Sequence, residues 1–537
     1  MSVSTVQRVA PVPAEIEGAP SEARGRARST SGWVYAALAV GSLALGALSL
    51  LYPSTPSYDP WGWLLWGREI IHLDLNTVGA NTFKPLPVLF TAPFALFGKA
   101  QPDLWLAVAR GGAVFALAMI FKLAARLTVW FGASPTGRRG ASGLIAYGPA
   151  VLAGAVAALS MVISPEFIRD AALGYSECLG AGLVLLAIDR HLDGKSRQTF
   201  VIGLFPALDR PEIWAFWGLY GLYLGRRDPR AWKLILALFA IVPALWFLPE
   251  LWGSGHLFRG VTRALHPRGN AATFTKCPFC TEMQGASQLL LSRVKLSSGL
   301  MALGAAITFW RVLRRHRSGL GAAVREEARR PEGIVLVLTV AAVLWFVEVS
   351  AMTQAGFSGN QRYLIIGGAL LFIPGGIGWG LAAWKLGVVL GRSIRPASGA
   401  ALALAAVTAG FLLLPGWVGQ HFKLHALDDA LRYQVELRQD LSTIVDRAGG
   451  ANKIRACGRI ETENYQVPMV AWYLGIDSVD VSGEIPPATL AQGDSQDPNV
   501  ILQTRDTVTA PLRPLIPKEV PFTETTQRTF RLYEHCG

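Results

Sequence analysis

Long apolar runs, broken by charged or Pro-rich segments, constrain this 537-residue chain more than any other feature. A helix of about twenty apolar residues crosses the hydrocarbon core of a bilayer. There, every backbone N–H and C=O must find a partner within the protein, which a helix supplies by itself. Read in order, the runs predict about eleven crossings. They lie near residues 32–52, 105–131, 143–163, 171–188, 200–208, 213–224, 234–251, 296–312, 333–351, 364–384 and 400–418. The two runs flanking Asp209 are short, so they read as one helix plus a tilted or re-entrant segment. Only 16% of residues are charged, against about 25% in soluble domains. The expected fold class is an all-α polytopic membrane domain with juxtamembrane amphipathic helices.

The formal charge of +13 suggests a nucleic-acid partner until its distribution is considered. Basic residues gather in alternate loops: Arg8, Arg24, Arg26 and Arg28; Arg138-Arg139; Lys195 and Arg197; Arg226 to Arg230; 311–330; and 385–395. That is the bias of cytoplasmic loops, so membrane lipid and not nucleic acid is the partner it implies. Asp59, Arg169, Asp209, Cys277, Arg362 and everything after Val418 then face outward. The chain reads as a multi-pass plasma-membrane protein with its N-terminus inside. The first span follows a polar stretch without a small-residue cleavage site and is expected to stay as an anchor.

Three regions follow. Residues 1–31 form a disordered basic tail, and 32–418 form the membrane domain. Residues 419–537 form a small extracytoplasmic α/β domain, with helices at 424–448 and 462–474 and strands at 453–460, 500–503 and 529–533. This domain is expected to cover an external face of the membrane domain. Cys178 lies within a span and reads as packing. Cys277 and Cys280, and Cys457 with Cys536, face an oxidising compartment and are disulfide candidates. Zinc needs about four ligands, and only His266 stands near the C-x-x-C, so no metal is assigned.

Just after the first span comes Tyr58-Asp59-Pro60-Trp61-Gly62-Trp63-Leu64-Leu65-Trp66. Asp followed by Pro suits the N-cap and first position of a helix over 60–73. The spacing of Trp63, Trp66 and Ile70 predicts an interfacial helix with tryptophans at headgroup depth. A Pro-broken apolar helix follows Phe83-Lys84-Pro85 and ends in Phe97-Gly98. Arg110 then sits early in a hydrophobic helix, where an ionisable group pairs or faces a polar cavity. Ser164-Pro165-Glu166-Phe167-Ile168-Arg169-Asp170 opens the fourth span, and Gly359-Asn360-Gln361-Arg362-Tyr363-Leu364 a late one. Asp170 and Glu177 are seven residues apart, which puts both on one helical face. Each isolated Lys or Arg has an alternative role as an interfacial anchor.

The order of these features resembles the GT-C superfamily of polyprenyl-phosphate-sugar-dependent membrane glycosyltransferases. It is most similar to the branch of protein O-mannosyltransferases and aminoarabinose transferases. The resemblance implies transfer of a sugar from a polyprenyl-phosphate donor to a glycan, lipid or protein acceptor on the external face. Asp59 would be the general base. Lys84, Arg169, Arg210 and Arg362 would bind the donor phosphate, with Arg110, Asp170, Glu177 and Glu212 in support. A phosphate leaving group needs cations but no general acid, and an acceptor hydroxyl needs a base. Pro60 stands where relatives have a second acid, and Lys84 where His or Glu is frequent. No cofactor is therefore assigned, and a divalent metal stays open. Two competing readings are a lipid-linked-sugar transporter and a silent scaffold with an external binding domain. The first predicts internal repeats, which the sequence lacks.

Overall fold

The computed structural model describes residues 31–79, 81–133, 143–267, 269, 271–315, 330–413, 417–483, 498–517 and 520–536. The basic tail up to Thr30 and the Arg138-Arg139 pair lie outside the described residues. The chain opens with α1 (Gly32–Leu48), α2 (Tyr58–Ile71), α3 (Pro85–Ala95), α4 (Gln101–Trp130), α5 (Gly143–Val162) and α6 (Pro165–Ala172). It continues with α7 (Glu177–Leu192), α8 (Ser196–Asp209), α9 (Ile213–Arg227), α10 (Trp232–Ser254), α11 (Arg259–Ala264) and α12 (Pro278–Leu289). The last helices of the membrane body are α13 (Ser292–Arg315), α14 (Pro331–Gln354), α15 (Ile365–Ser393) and α16 (Pro396–Leu413).

Seven helices among the described residues are long and apolar enough to cross a bilayer, or eight if the bent pair α5–α6 is one span. The sequence reading gives about eleven crossings. The difference lies in α7, α8 and α9, which have 16, 14 and 15 residues. Gly174 and the Asp209-Arg210-Pro211-Glu212 break cut these helices short. The chain is a multi-span membrane protein. Its centre is α15, which packs against α4, α5, α13, α14 and α16.

After the membrane body, α17 (Trp417–Arg447) leads into α18 (Ala451–Cys457), α19 (Val467–Leu474) and a five-stranded mixed sheet. The strands are β1 (Ile460–Thr462), β2 (Val481–Gly483), β3 (Val500–Gln503), β4 (Thr523–Thr526) and β5 (Arg531–Glu534), in the order β2-β1-β3-β5-β4. β1 pairs in parallel with β2 and β3; β5 pairs antiparallel with β3 and β4. The strand expected over 453–460 is instead mostly α18. The turn Gly449-Gly450, with φ of +96° and +91°, restarts the chain as a helix, and β1 begins only at Ile460. Cys457 is bonded to Cys536, and Cys277 to Cys280.

The tryptophan helix departs from its expected place. Trp61, Trp63 and Trp66 are each at most 2% exposed, so protein, not a headgroup layer, encloses them. Trp61 packs on Trp472 and Tyr473 of α19, Trp63 on Trp105, and Trp66 on Phe83. The C-terminal module thus closes over α2, and burying such rings gives this contact its apolar drive. Some polar groups in the seam are matched: Gln101 Nε2 donates to the Leu64 and Thr91 carbonyls, and Trp472 Nε1 donates to Gln101 Oε1.

Candidate active site

Asp59 is not the helix cap the sequence suggests. Ser57 holds the N-cap position, and Asp59 sits within the first turn of α2. Its side chain forms an ion pair with Arg362. Its backbone is fixed too. Asn81 Nδ2 donates to the Asp59 carbonyl at 3.3 Å, and only a glycine at 62 leaves room, since a Cβ there would lie 2.1 Å from Asn81 Oδ1. The Ser57 N–H donates to the Leu173 carbonyl, which ties this turn to the break between α6 and α7.

That break corrects a second expectation. Asp170 ends up on α6 and Glu177 is the first residue of α7, because Gly174 takes a φ of +79° between them. They do not share a helical face. Glu177 instead points at three cations brought from distant parts of the chain. Its Oε1 lies 3.0 Å from Lys84 Nζ, 3.3 Å from Arg210 Nη1 and 3.5 Å from Arg362 Nε. Lys84 occupies the N-cap position of α3, held extended by Pro85. Arg210 caps the end of α8, also before a proline. Arg362 lies in the single 3₁₀ turn that starts α15, where Asn360 Oδ1 accepts its N–H.

Aromatic plates orient the guanidinium groups. Arg210 lies 3.6 Å from the centre of the Tyr363 ring, and Arg362 lies 4.1 Å from that of Tyr175. Lys84 stands 5.2 Å over Trp63. Arg210 also pairs with Glu212, and Lys84 is 3.6 Å from Asp209. A buried cation needs such partners to be tolerated.

These groups border a cavity of about 1260 Å³ between the membrane body and the C-terminal module. Asp59, Lys84, Arg169, Arg210, Glu212 and Arg362 all line it, together with parts of α17 and Tyr465. Glu177 and Asp209 stand behind the wall. Arg169 lines the cavity apart from the Glu177 cluster, paired to Glu166 at 2.9 Å and 3.6 Å from Asp170. Asp170 is fully buried. Arg110 is not on the wall; it donates to the Ser49 and Ala172 carbonyls and to Ser54 Oγ, bracing the link from α1 to α2. Three wall or near-wall groups escaped the sequence reading. Tyr363 is adjacent to Arg362 and Tyr175 is two residues before Glu177, so both had a local signal. Glu282, on α12, had none.

No protein-family model matches the sequence, and no curated protein matches it. Solved structures do. ArnT from Cupriavidus metallidurans in the apo state aligns with a TM-score of 0.50 at 14% identity, covering 94% of this chain and 97% of that one. The fold is GT-C-like. ArnT from the same organism bound to undecaprenyl phosphate aligns with a TM-score of 0.47 at 13% identity, covering 94% of this chain and 98% of that one. Within this ArnT-like architecture the cluster of Asp59, Lys84, Arg210 and Arg362 lies where the body meets the C-terminal module.

Proposed function

We propose that this protein is a glycosyltransferase that moves a sugar from a polyprenyl-phosphate carrier to an acceptor hydroxyl on the extracytoplasmic face. The observation that carries this reading is the single cavity wall bearing Asp59 beside Lys84, Arg169, Arg210 and Arg362. The GT-C-like fold supports it. So does the chemistry: fixed cations aimed at developing phosphate charge are sufficient when the leaving group is a phosphate.

The step follows from these groups. Asp59 takes the proton of the acceptor hydroxyl as its oxygen attacks the anomeric carbon. The bond from that carbon to the phosphate oxygen breaks, and its electron pair leaves with polyprenyl phosphate. Arg362 and Arg210 grip phosphate oxygens in a fork, while Lys84 acts as a point charge. At rest Arg362 is bound to Asp59. A donor phosphate competes for that guanidinium, so donor binding itself releases the carboxylate to act as base. The acceptor is a glycan, lipid or protein hydroxyl. The carrier tail stays in lipid, so the cavity must open sideways as well as outward.

Protein reconstituted with a panel of polyprenyl-phosphate sugars tests this. Asp59→Asn is expected to lower turnover about 10²–10⁴-fold while folded yield and melting temperature hold, because Arg362 keeps Glu177. Unchanged turnover would remove Asp59 as the base and favour a silent scaffold.

A further inference from the structure

The donor-phosphate reading uses the cationic side of the cavity and leaves one buried carboxyl on its wall unexplained. Glu282 lines the same cavity from α12, two residues after Cys280. It is 2% exposed, and its Oε2 has no hydrogen-bond partner. Asp59, Glu166 and Glu212 on that wall are each paired, with Arg362, Arg169 and Arg210 respectively. Glu282 has no cation beside it among the described residues. Burial alone pushes its carboxyl up to about 7. A buried acid without a partner is costly, and the cost is removed when a ligand supplies the missing donor.

Its position says which part of a ligand that is. A Cβ at Gly359 would lie 2.7 Å from Glu282 Oε1 and 2.3 Å from Thr353 Cγ2, and Gly359 takes a φ of +61°. The glycine lets the loop carrying Arg362 come directly against this carboxyl, and α12 packs on the turn Gln361–Leu364. Glu282 is therefore set beside the segment that presents a phosphate-binding guanidinium. In a polyprenyl-phosphate sugar, the group covalently next to the phosphate is the sugar.

We propose that Glu282 forms the sugar subsite of this cavity, its carboxyl bonding a hydroxyl of the sugar whose phosphate Arg210 and Arg362 hold. This rests on the donor-phosphate reading. A carboxyl serves a sugar hydroxyl in either protonation state, as acceptor when ionised and as donor and acceptor when neutral. Glu282 thus sets which sugar is accepted, while Asp59 and the cations serve any sugar on that carrier.

The test uses the full chain in nanodiscs and N,N′-dicyclohexylcarbodiimide, which reacts with protonated carboxyls in apolar surroundings; peptide mass locates the adduct. The ligands are undecaprenyl phosphate alone and the same carrier bearing arabinose, mannose or glucose, with binding of each measured separately. Glu282 should be labelled in the free protein and with the bare carrier. At least one sugar-bearing carrier, at a concentration that saturates its measured binding, should suppress labelling. Glu282→Gln should weaken binding of that conjugate about tenfold, the scale of one hydrogen bond to a charged group, and leave the bare carrier unchanged. Full suppression by the bare carrier, or conjugates that bind without altering labelling, overturns the proposal; if the free protein is not labelled, equal conjugate binding by wild type and Glu282→Gln overturns it. If neither carrier nor conjugate binds wild type, the donor-phosphate reading falls, and the subsite with it.

Discussion

Helix α7 carries a buried ionic cluster at each end, and the two are built differently. At its start, Glu177 gathers Lys84, Arg210 and Arg362, and those cations line a cavity. About 18 Å along the helix, Asp189 gathers Lys122, Arg126 and the Tyr35 hydroxyl, while Asp193 takes Arg126 at 2.8 Å and Arg190 at 3.0 Å. None of that second group lines the cavity. Its charges face one another and tie α1, α4 and α7 together. Both ends hold cations in aromatic surroundings. Only the first leaves them a face turned to open space, so burial and pairing alone do not mark a reactive site.

The comparison can be broken from either end. The largest effect should come from the closed end. Asp189→Asn strands Lys122 and leaves Arg126 only Asp193, and breaking a buried pair costs about 3–5 kcal/mol. Denaturation in detergent should show that loss, with binding of undecaprenyl phosphate unchanged in the folded fraction. Weakened carrier binding would mean that the two clusters are one device.

A smaller effect is expected at the open end. Arg362→Lys keeps the charge but loses the fork, and Arg and Lys are not interchangeable at such positions. Carrier binding should weaken about tenfold, roughly the worth of one charge-assisted bond, with little change in melting. Equal binding would show that Arg362 only neutralises Asp59 and Glu177.

A third effect calibrates burial without a cation cluster. Glu69, near the end of α2, is pushed up to about 8, first by burial, with Asn76 N–H and Arg68 opposing weakly. A carboxyl raised in the folded state favours folding in its protonated form. Its cost is absent below the ordinary carboxyl range, grows as pH rises towards 8, and is constant above. Glu69→Gln should therefore raise the melting temperature more at pH 9 than at pH 5. An equal change at both pH values would show that Glu69 stays ionised in the fold.

Much of this site was legible because charge stands out against apolar sequence. Asp59, Arg210 and Arg362 each interrupt hydrophobic runs, and the pattern of runs gave the helical membrane body. Glu282 was invisible for the opposite reason: its neighbours Thr281, Gln284 and Lys276 are polar, so it has no contrast. The three tryptophans of α2 were misplaced because helical spacing reports a face but not what covers it. Their cover, Trp472 and Tyr473, lies in a different module. Asp170 and Glu177 were put on one face because the seven-residue spacing ignored Gly174. The strand expected over 453–460 failed because Gly449-Gly450 permits a fresh helix start that alternation alone does not detect.

The covering of α2 by α19 also sets a schedule for the growing chain. Trp61 is made about 400 residues before Trp472, its packing partner. At roughly 5–20 residues per second, that leaves the first helix after the anchor waiting on the order of 20–80 s for its lid. During that interval its indoles have only membrane, Phe83 and Trp105 for company. The half-made protein is thus expected to rest at the bilayer surface with an unfinished aromatic face. Whatever attends it during insertion has to shield that face until the last hundred residues arrive.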